Sequence, residues 1–271
     1  MDSRKSAATA GTMATPCPAA GTDGLPVVLD ERHLAGRWAL VTGGSVRGGL
    51  AISRHLHAQG LGIVVHHGHA GSAARAQQLV EAFNAERPGS ALRWQAALED
   101  LPAFPRPELP VQVVVCNASR WHTSALAELD RAESDFRIHV SGHAAILASL
   151  EPSLRRLRGA VVAVGDIQVQ QPQRHHVWYL VAKAGLETLV RALAVEWAPD
   201  VRCNIVAPGA LEWPADWSDE PLRQAILESI PQGRVGAFDE LARTVGWLAL
   251  DAGYITGQVL RMDGGRSVWL R

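Results

Sequence analysis

Residues Trp38-Ala39-Leu40-Val41-Thr42-Gly43-Gly44-Ser45-Val46-Arg47-Gly48-Gly49 carry the chain from an apolar run through a glycine-rich turn into an amphipathic segment. A strand that enters such a turn and leaves as a helix lets main-chain amides and a helix N-terminus meet a phosphate group, and glycine permits the close approach. The spacing of Gly43, Gly44, Gly48 and Gly49 departs from the G-x-G-x-x-G of the two-half dinucleotide fold. A tight strand-to-helix turn without a ligand would use the same residues, so the rest of the chain has to decide.

Outward from that turn, short apolar runs alternate with longer amphipathic segments. Strands are expected at 38–41, 62–66, 92–96, 111–116, 160–164, 201–206 and 258–261. Helices are expected at 49–57, 73–86, 124–138, 141–156, 178–197, 220–229 and 239–250. Strands this uniformly apolar are buried on both faces, which requires a parallel sheet covered by helices. The fold class is therefore α/β, a Rossmann-like doubly wound parallel sheet of about seven strands with helices on both faces, in a single domain at 35–271. Pro102, Pro105, Pro107 and Pro110 mark an irregular link before the fourth strand, because proline has no amide hydrogen to give a ladder.

Residues 1–34 are mostly Ala, Thr, Gly, Ser and Pro, with too few large apolar groups to offset their ordering entropy, and read as a flexible tail. A transit peptide is the sharper alternative, opposed by Asp2 and by only two early cations, Arg4 and Lys5. The 271 residues are 47% hydrophobic with a formal net charge of -1, enough for a core and without the basic field that would suit nucleic acid or an anionic membrane. Cys17, Cys116 and Cys203 lack metal-ligand spacing, and the last two sit in apolar runs where a free thiol packs as a small hydrophobe. No run approaches the length of a membrane span. A cytoplasmic protein acting on a small molecule is the expectation.

The chemistry-bearing residues lie at strand ends. Tyr179 and Lys183, at i and i+4, share one helix face, and an ammonium beside a phenol favours the phenolate, as a proton donor and acceptor requires. A solvated helix face gives the same spacing. Asp166 precedes Tyr179 by thirteen positions. Its carboxylate would oppose the phenolate and face a substrate's proton traffic, or it would cap the loop that follows. His66, His67 and His69 follow the second strand where a carboxylate would otherwise select against a 2′-phosphate.

The turn TGGSVRGG, the run Cys116-Asn117-Ala118-Ser119, the pair Tyr179 and Lys183, Pro208-Gly209 and Asp263-Gly264-Gly265 together resemble a short-chain dehydrogenase/reductase over about 36–268. Within that superfamily the chain is most similar to pteridine reductases, through Arg47 in the glycine turn, Ser119 after Asn-Ala and Asp166 in place of a catalytic Ser. The stretch at 207–214 also reads like bacterial members of that group. The resemblance implies Asp166, Tyr179 and Lys183 as catalytic, with Tyr179 the proton donor and Lys183 lowering its pKa and holding the nicotinamide ribose. It implies cofactor contacts at Gly43, Arg47, Gly49, His66, His67, Asn117, Ala118, Ser119, Lys183, Pro208 and Gly209, and NADPH as the cofactor. Substrate contacts would come from Ser119, Trp121, Asp166, Tyr179 and Trp213, with Trp121 stacking a pterin ring. No metal site is implied, and the long apolar helices suit a homotetramer.

Three positions depart from the pattern. Gly68 or His69 replaces an Arg, Ala97 replaces the Asp of the adenine pocket, and His139 replaces the Asn whose backbone carbonyl positions a water and the Lys. His143, one turn later, is in reach of that relay. Three readings follow: reduction of a dihydropterin with NADPH, reduction of a carbonyl compound with Asp166 a local variant, and a nucleotide-binding regulator that no longer turns over.

Overall fold

A computed structural model describes residues 36–214 and 217–269. The expected N-terminal tail lies outside the described residues.

Seven strands form one sheet: β1 (Trp38–Val41), β2 (Gly62–His67), β3 (Ala91–Gln95), β4 (Val111–Cys116), β5 (Ala160–Val164), β6 (Arg202–Pro208) and β7 (Val259–Met262). Every pairing is parallel and the order is β3-β2-β1-β4-β5-β6-β7. The order reverses between β1 and β4, and a crevice opens beyond the carboxyl ends of the strands at that reversal. The helices are α1 (Arg47–Ala58), α2 (Ala73–Glu86), α3 (Leu129–Phe136), α4 (Gly142–Arg156), α5 (Val177–Glu196), α6 (Glu220–Glu228) and α7 (Phe238–Leu250).

Because side chains alternate across a strand, each central strand feeds two cores. Ala39, Val41, Ile63, Val65, Val113, Val115 and Val162 pack with α1, α2 and α7, and Leu40, Val64, Val114, Cys116, Val161 and Ala163 pack with α4 and α5. Burial on both faces is why the strands read as continuous apolar runs rather than as alternation.

The expected helix at 124–138 is the main departure. Helix α3 begins only at Leu129, because Ser124 is drawn into an isolated parallel bridge with His176 and its amide donates to the His175 carbonyl at 2.7 Å. Beyond α3, Arg137–Ser141 continues as a π-helical turn before α4. Neither feature alters hydrophobic periodicity enough to be read from sequence. Elsewhere the expected elements agree with the observed ones to within two residues at each end.

Candidate active site

The first turn is built around Thr42 and its glycines. Gly43 has φ +62°, a left-handed conformation that costs glycine nothing. A Cβ at Gly49 would collide with the Gly43 carbonyl and stand 2.7 Å from Asn117 Nδ2. Arg47 opens α1 at φ 46°, no side chain caps the helix, and no acidic residue lies in its first turn. The N-terminal end of α1 therefore faces a cavity of about 560 Å³ with its amides and dipole available to an anion.

That cavity runs from Gly43, Arg47, Gly48 and Gly49 past His66 and His69 to Ser119, Asp166, Tyr179 and Lys183. The turn after β4 is pinned to the turn after β1 by Thr42, which is fully buried. Its Oγ1 accepts from the amides of Asn117 at 2.8 Å and Ala118 at 2.9 Å, and stands 3.2 Å from the Val115 carbonyl and 3.0 Å from His143 Nε2. The Asn117 side-chain amide donates to the Thr42 carbonyl at 2.9 Å, so it shapes the turn from within.

At the β2 end of the cavity, His66 and His67 are packed groups, whereas His69 is exposed. His66 is buried, its Nε2 donating to the Ala96 carbonyl at 2.8 Å and its Nδ1 accepting from the Gly43 amide at 3.3 Å. Burial brings it down to about 4, so it is neutral at physiological pH. His67 is also buried, with Nδ1 3.1 Å from the His69 carbonyl. Arg47 crosses to the other wall, where it donates to the Glu212 carbonyl at 3.0 Å and lies 4.9 Å over the Phe238 ring. Leu98 and Glu99 line the cavity after Ala97.

At the Tyr179 end of the cavity, each oxygen of Asp166 has its own partner. Oδ1 accepts from the Gln168 amide at 2.8 Å and caps the short turn after β5, and Oδ2 accepts from the Tyr179 hydroxyl at 2.8 Å. The expected drop in the Tyr179 pKa does not occur. Burial pushes it well above the usual range, and the Asp166 carboxylate adds to the rise. Lys183 is buried with Nζ 5.8 Å from the Tyr179 ring centroid, and it donates to the Val164 carbonyl at 2.8 Å. Burial lowers its ammonium to about 8, with Asp166 opposing that drop.

His139 and His143 are satisfied in the interior. His139 Nδ1 is 2.9 Å from the Asp135 carbonyl, and Nε2 is 2.9 Å from Ser119 Oγ. His143 Nδ1 reaches the His139 carbonyl at 3.1 Å, occupying part of the acceptor that the resemblance gives to a water. Burial, reinforced by Lys183, brings His139 to about 3, and burial brings His143 to a similar value.

Trp121 stacks on His176 with centroids 3.9 Å apart and meets the Tyr179 ring edge-on at 4.6 Å. It adjoins Tyr179 without lining the cavity. Pro208 lines the cavity, whereas the Gly209 amide is spent on the Met262 carbonyl at 2.9 Å. Trp213 packs against Trp217 and Arg223, away from the cavity wall. The sequence reading missed Thr42, His176 and the wholly buried Asp135, whose Oδ2 is 3.3 Å from His122 Nε2. Only an acidic residue at an inward position of α3 hinted at the last.

The model of the family described as Enoyl-(Acyl carrier protein) reductase matches residues 48–267. The chain belongs to the short-chain dehydrogenase/reductase superfamily. An uncharacterized oxidoreductase, YmfI, of Bacillus subtilis is 32% identical over 237 residues, covering 84% of this chain and 97% of the relative. A blue fluorescent protein from a metagenomic library, solved with NADPH, has a TM-score of 0.77 at 27% identity, covering 86% of this chain and 98% of that one. FolM alternative dihydrofolate reductase 1 from Brucella canis, solved with NADP, has a TM-score of 0.78 at 24% identity, covering 89% and 97%. That likeness bears on the fold. As a short-chain dehydrogenase/reductase the protein is an oxidoreductase, and its Tyr179, Lys183 and glycine turn stand at one crevice. Among the described residues no helix is long and apolar enough to cross a membrane, and no cluster of metal-ligating side chains occurs.

Proposed function

We propose that this short-chain dehydrogenase/reductase uses NADPH to reduce a flat nitrogen heterocycle of the dihydropterin class to its tetrahydro form. The observation that carries the reading is the 2.8 Å hydrogen bond from the buried Tyr179 hydroxyl to Oδ2 of the half-buried Asp166, a phenol-carboxylate pair at the cavity wall. A C=N bond takes hydride at carbon and a proton at nitrogen, so a carboxylic acid and a phenol that share one proton suit it.

The bound dihydronicotinamide supplies the hydride. Gly43, Gly49 and the uncapped start of α1 receive its pyrophosphate, and a Cβ at Gly49 would abolish that cradle. Arg47 is the cation in reach of a 2′-phosphate, with His66 and His67 as neutral neighbours, and no carboxylate at the end of β2 repels the phosphate. Asn117, Ala118, Ser119, Lys183 and Pro208 border the nicotinamide end, with Gly209 supporting the turn behind Pro208, and there the Lys183 ammonium orients the ribose. Tyr179 and Asp166 hold the proton for the substrate, Ser119 binds its edge, and Trp121 and Trp213 close over it by moving from their present partners. The same reading includes a homotetramer, supported by the exposed Leu129, Phe136, Val181 and Val195 on α3 and α5, and a reducing cytoplasm, supported by the free buried thiols of Cys116 and Cys203.

A carbonyl substrate is the second reading, favoured by Trp121 being stacked on His176 rather than facing the cavity. Purified protein is incubated with NADPH and dihydrobiopterin, dihydromonapterin or a panel of ketones, and cofactor oxidation is followed. Turnover of a dihydropterin is the expected result. Ketone turnover with no oxidation by any dihydropterin would refute it.

A further inference from the structure

We infer that His139 fixes Ser119 as a hydrogen-bond acceptor toward the cavity, so the site selects a substrate that presents an N–H or O–H donor at that point. The inference deepens the proposed function by naming the polarity of the substrate edge, and its first test does not depend on that reading.

The two nitrogens of His139 have independent partners that agree. Nδ1 lies 2.9 Å from the Asp135 main-chain carbonyl, which can only accept, so Nδ1 carries the proton. Nε2 lies 3.3 Å from the Arg120 main-chain amide, which can only donate, so Nε2 is bare. The ring is fully buried, and burial together with the nearby Lys183 ammonium holds it neutral, with its pKa down at about 3. A single tautomer results.

Ser119 Oγ is 2.9 Å from that bare nitrogen, and a hydroxyl has one proton to give. The proton goes to Nε2. With that proton on Nε2, Ser119 turns lone pairs to the cavity. The Tyr179 oxygen, whose own proton is directed at Asp166, also lies in hydrogen-bond reach of Ser119 and is the rival acceptor that the measurements below distinguish from Nε2. Asp166 adds a second acceptor beside Ser119. A wall of this polarity matches an amino or ring N–H edge and leaves a purely accepting edge unpaired, which costs roughly fivefold or more in affinity for each neutral hydrogen bond lost. His139 is a positioning residue: it touches no substrate and acts through Ser119.

The first measurement is nitrogen-resolved NMR of the full chain labelled in its histidines, with the His139 signals assigned by their loss in His139→Gln. The expected result is a neutral ring protonated at Nδ1 between about pH 5 and 8. An Nε2–H ring or a cation in that range overturns the inference. The second compares isatin with N-methylisatin, flat heterocyclic ketones that differ by one N–H, as substrates with NADPH. Wild-type kcat/KM is expected to favour isatin about tenfold, mainly through KM. His139→Leu, which lets the Ser119 hydroxyl rotate, should bring that ratio toward one, and His139→Gln, which restores an acceptor, should recover it. A ratio unchanged in His139→Leu counts against the inference. Failure of dihydrobiopterin to react with the wild-type protein defeats the pterin reading alone, because the tautomer is measured without substrate.

Discussion

Thr42→Val removes one oxygen and keeps the shape of the side chain, and the structure sets how much that should cost. Thr42 Oγ1 accepts from the Ala118 amide at 2.9 Å and partners His143 Nε2 at 3.0 Å. The Asn117 amide, at 2.8 Å, has the Val115 carbonyl at 3.1 Å as a second acceptor and loses less. A buried ring nitrogen and a half-buried amide are therefore left without a partner, the first worth about 1–3 kcal/mol and the second less, for a total of roughly 1–5 kcal/mol. Against a typical stability of about 5–15 kcal/mol the loss is large. Urea unfolding should show it as a lower midpoint with an unchanged slope, and Thr42→Ser should restore most of it. NADPH affinity should fall as well, because the turn carrying Asn117 to Ser119 loses its anchor. A loss under about 1 kcal/mol would refute the assignment of Thr42 as the pin between β1 and β4.

Asp166→Ala removes the acceptor of the Tyr179 proton and should cut dihydropterin turnover about 10²- to 10⁴-fold, while NADPH affinity, measured by fluorescence, stays within about twofold. Arg47→Ala should weaken NADPH binding and leave NADH binding unchanged, since His66 is neutral; equal losses for both cofactors would remove Arg47 from the phosphate site. His66, His139 and His143, at about 4, 3 and 3 in the folded protein, bind protons less readily than in the unfolded chain. Stability from these groups therefore rises with pH between about 4 and 6.5, by about 4 kcal/mol per unit near pH 5 if all three contribute. Denaturant midpoints across that range check it, and a flat profile would contradict the burial of the three rings. Lys183, at about 8, should lose its charge there, so kcat/KM should fall on an alkaline limb near that pH.

Much of the fold was legible because a parallel sheet covered on both faces writes itself as apolar runs separated by amphipathic helices. The glycine turn was legible for a local reason, since Gly43 and Gly49 answer to steric demands of the chain itself. The start of α3 was not, because Ser124 is held by His175 and His176 from fifty residues away. The pairing of Tyr179 with Lys183 and the opposing effect of Asp166 were visible, yet the net direction of the phenol's pKa was not, since its largest cause is burial, which the fold decides. Trp213 was drawn into the site by resemblance and stands with Trp217 and Arg223 instead.

The sequence by itself determined the layers, the strand count, the glycine turn and the residues that mark a short-chain dehydrogenase/reductase, all of which depend on periodicity or on neighbours within a few positions. Only the tertiary structure decided which histidines are buried and held neutral, which oxygen of Asp166 meets Tyr179, and which partners surround the Ser119 hydroxyl. Hydrogen-bond polarity is a property of partners, and for Ser119, His139 and Asp135 those partners lie on a loop, a π-helical turn and a helix that the fold alone brings together.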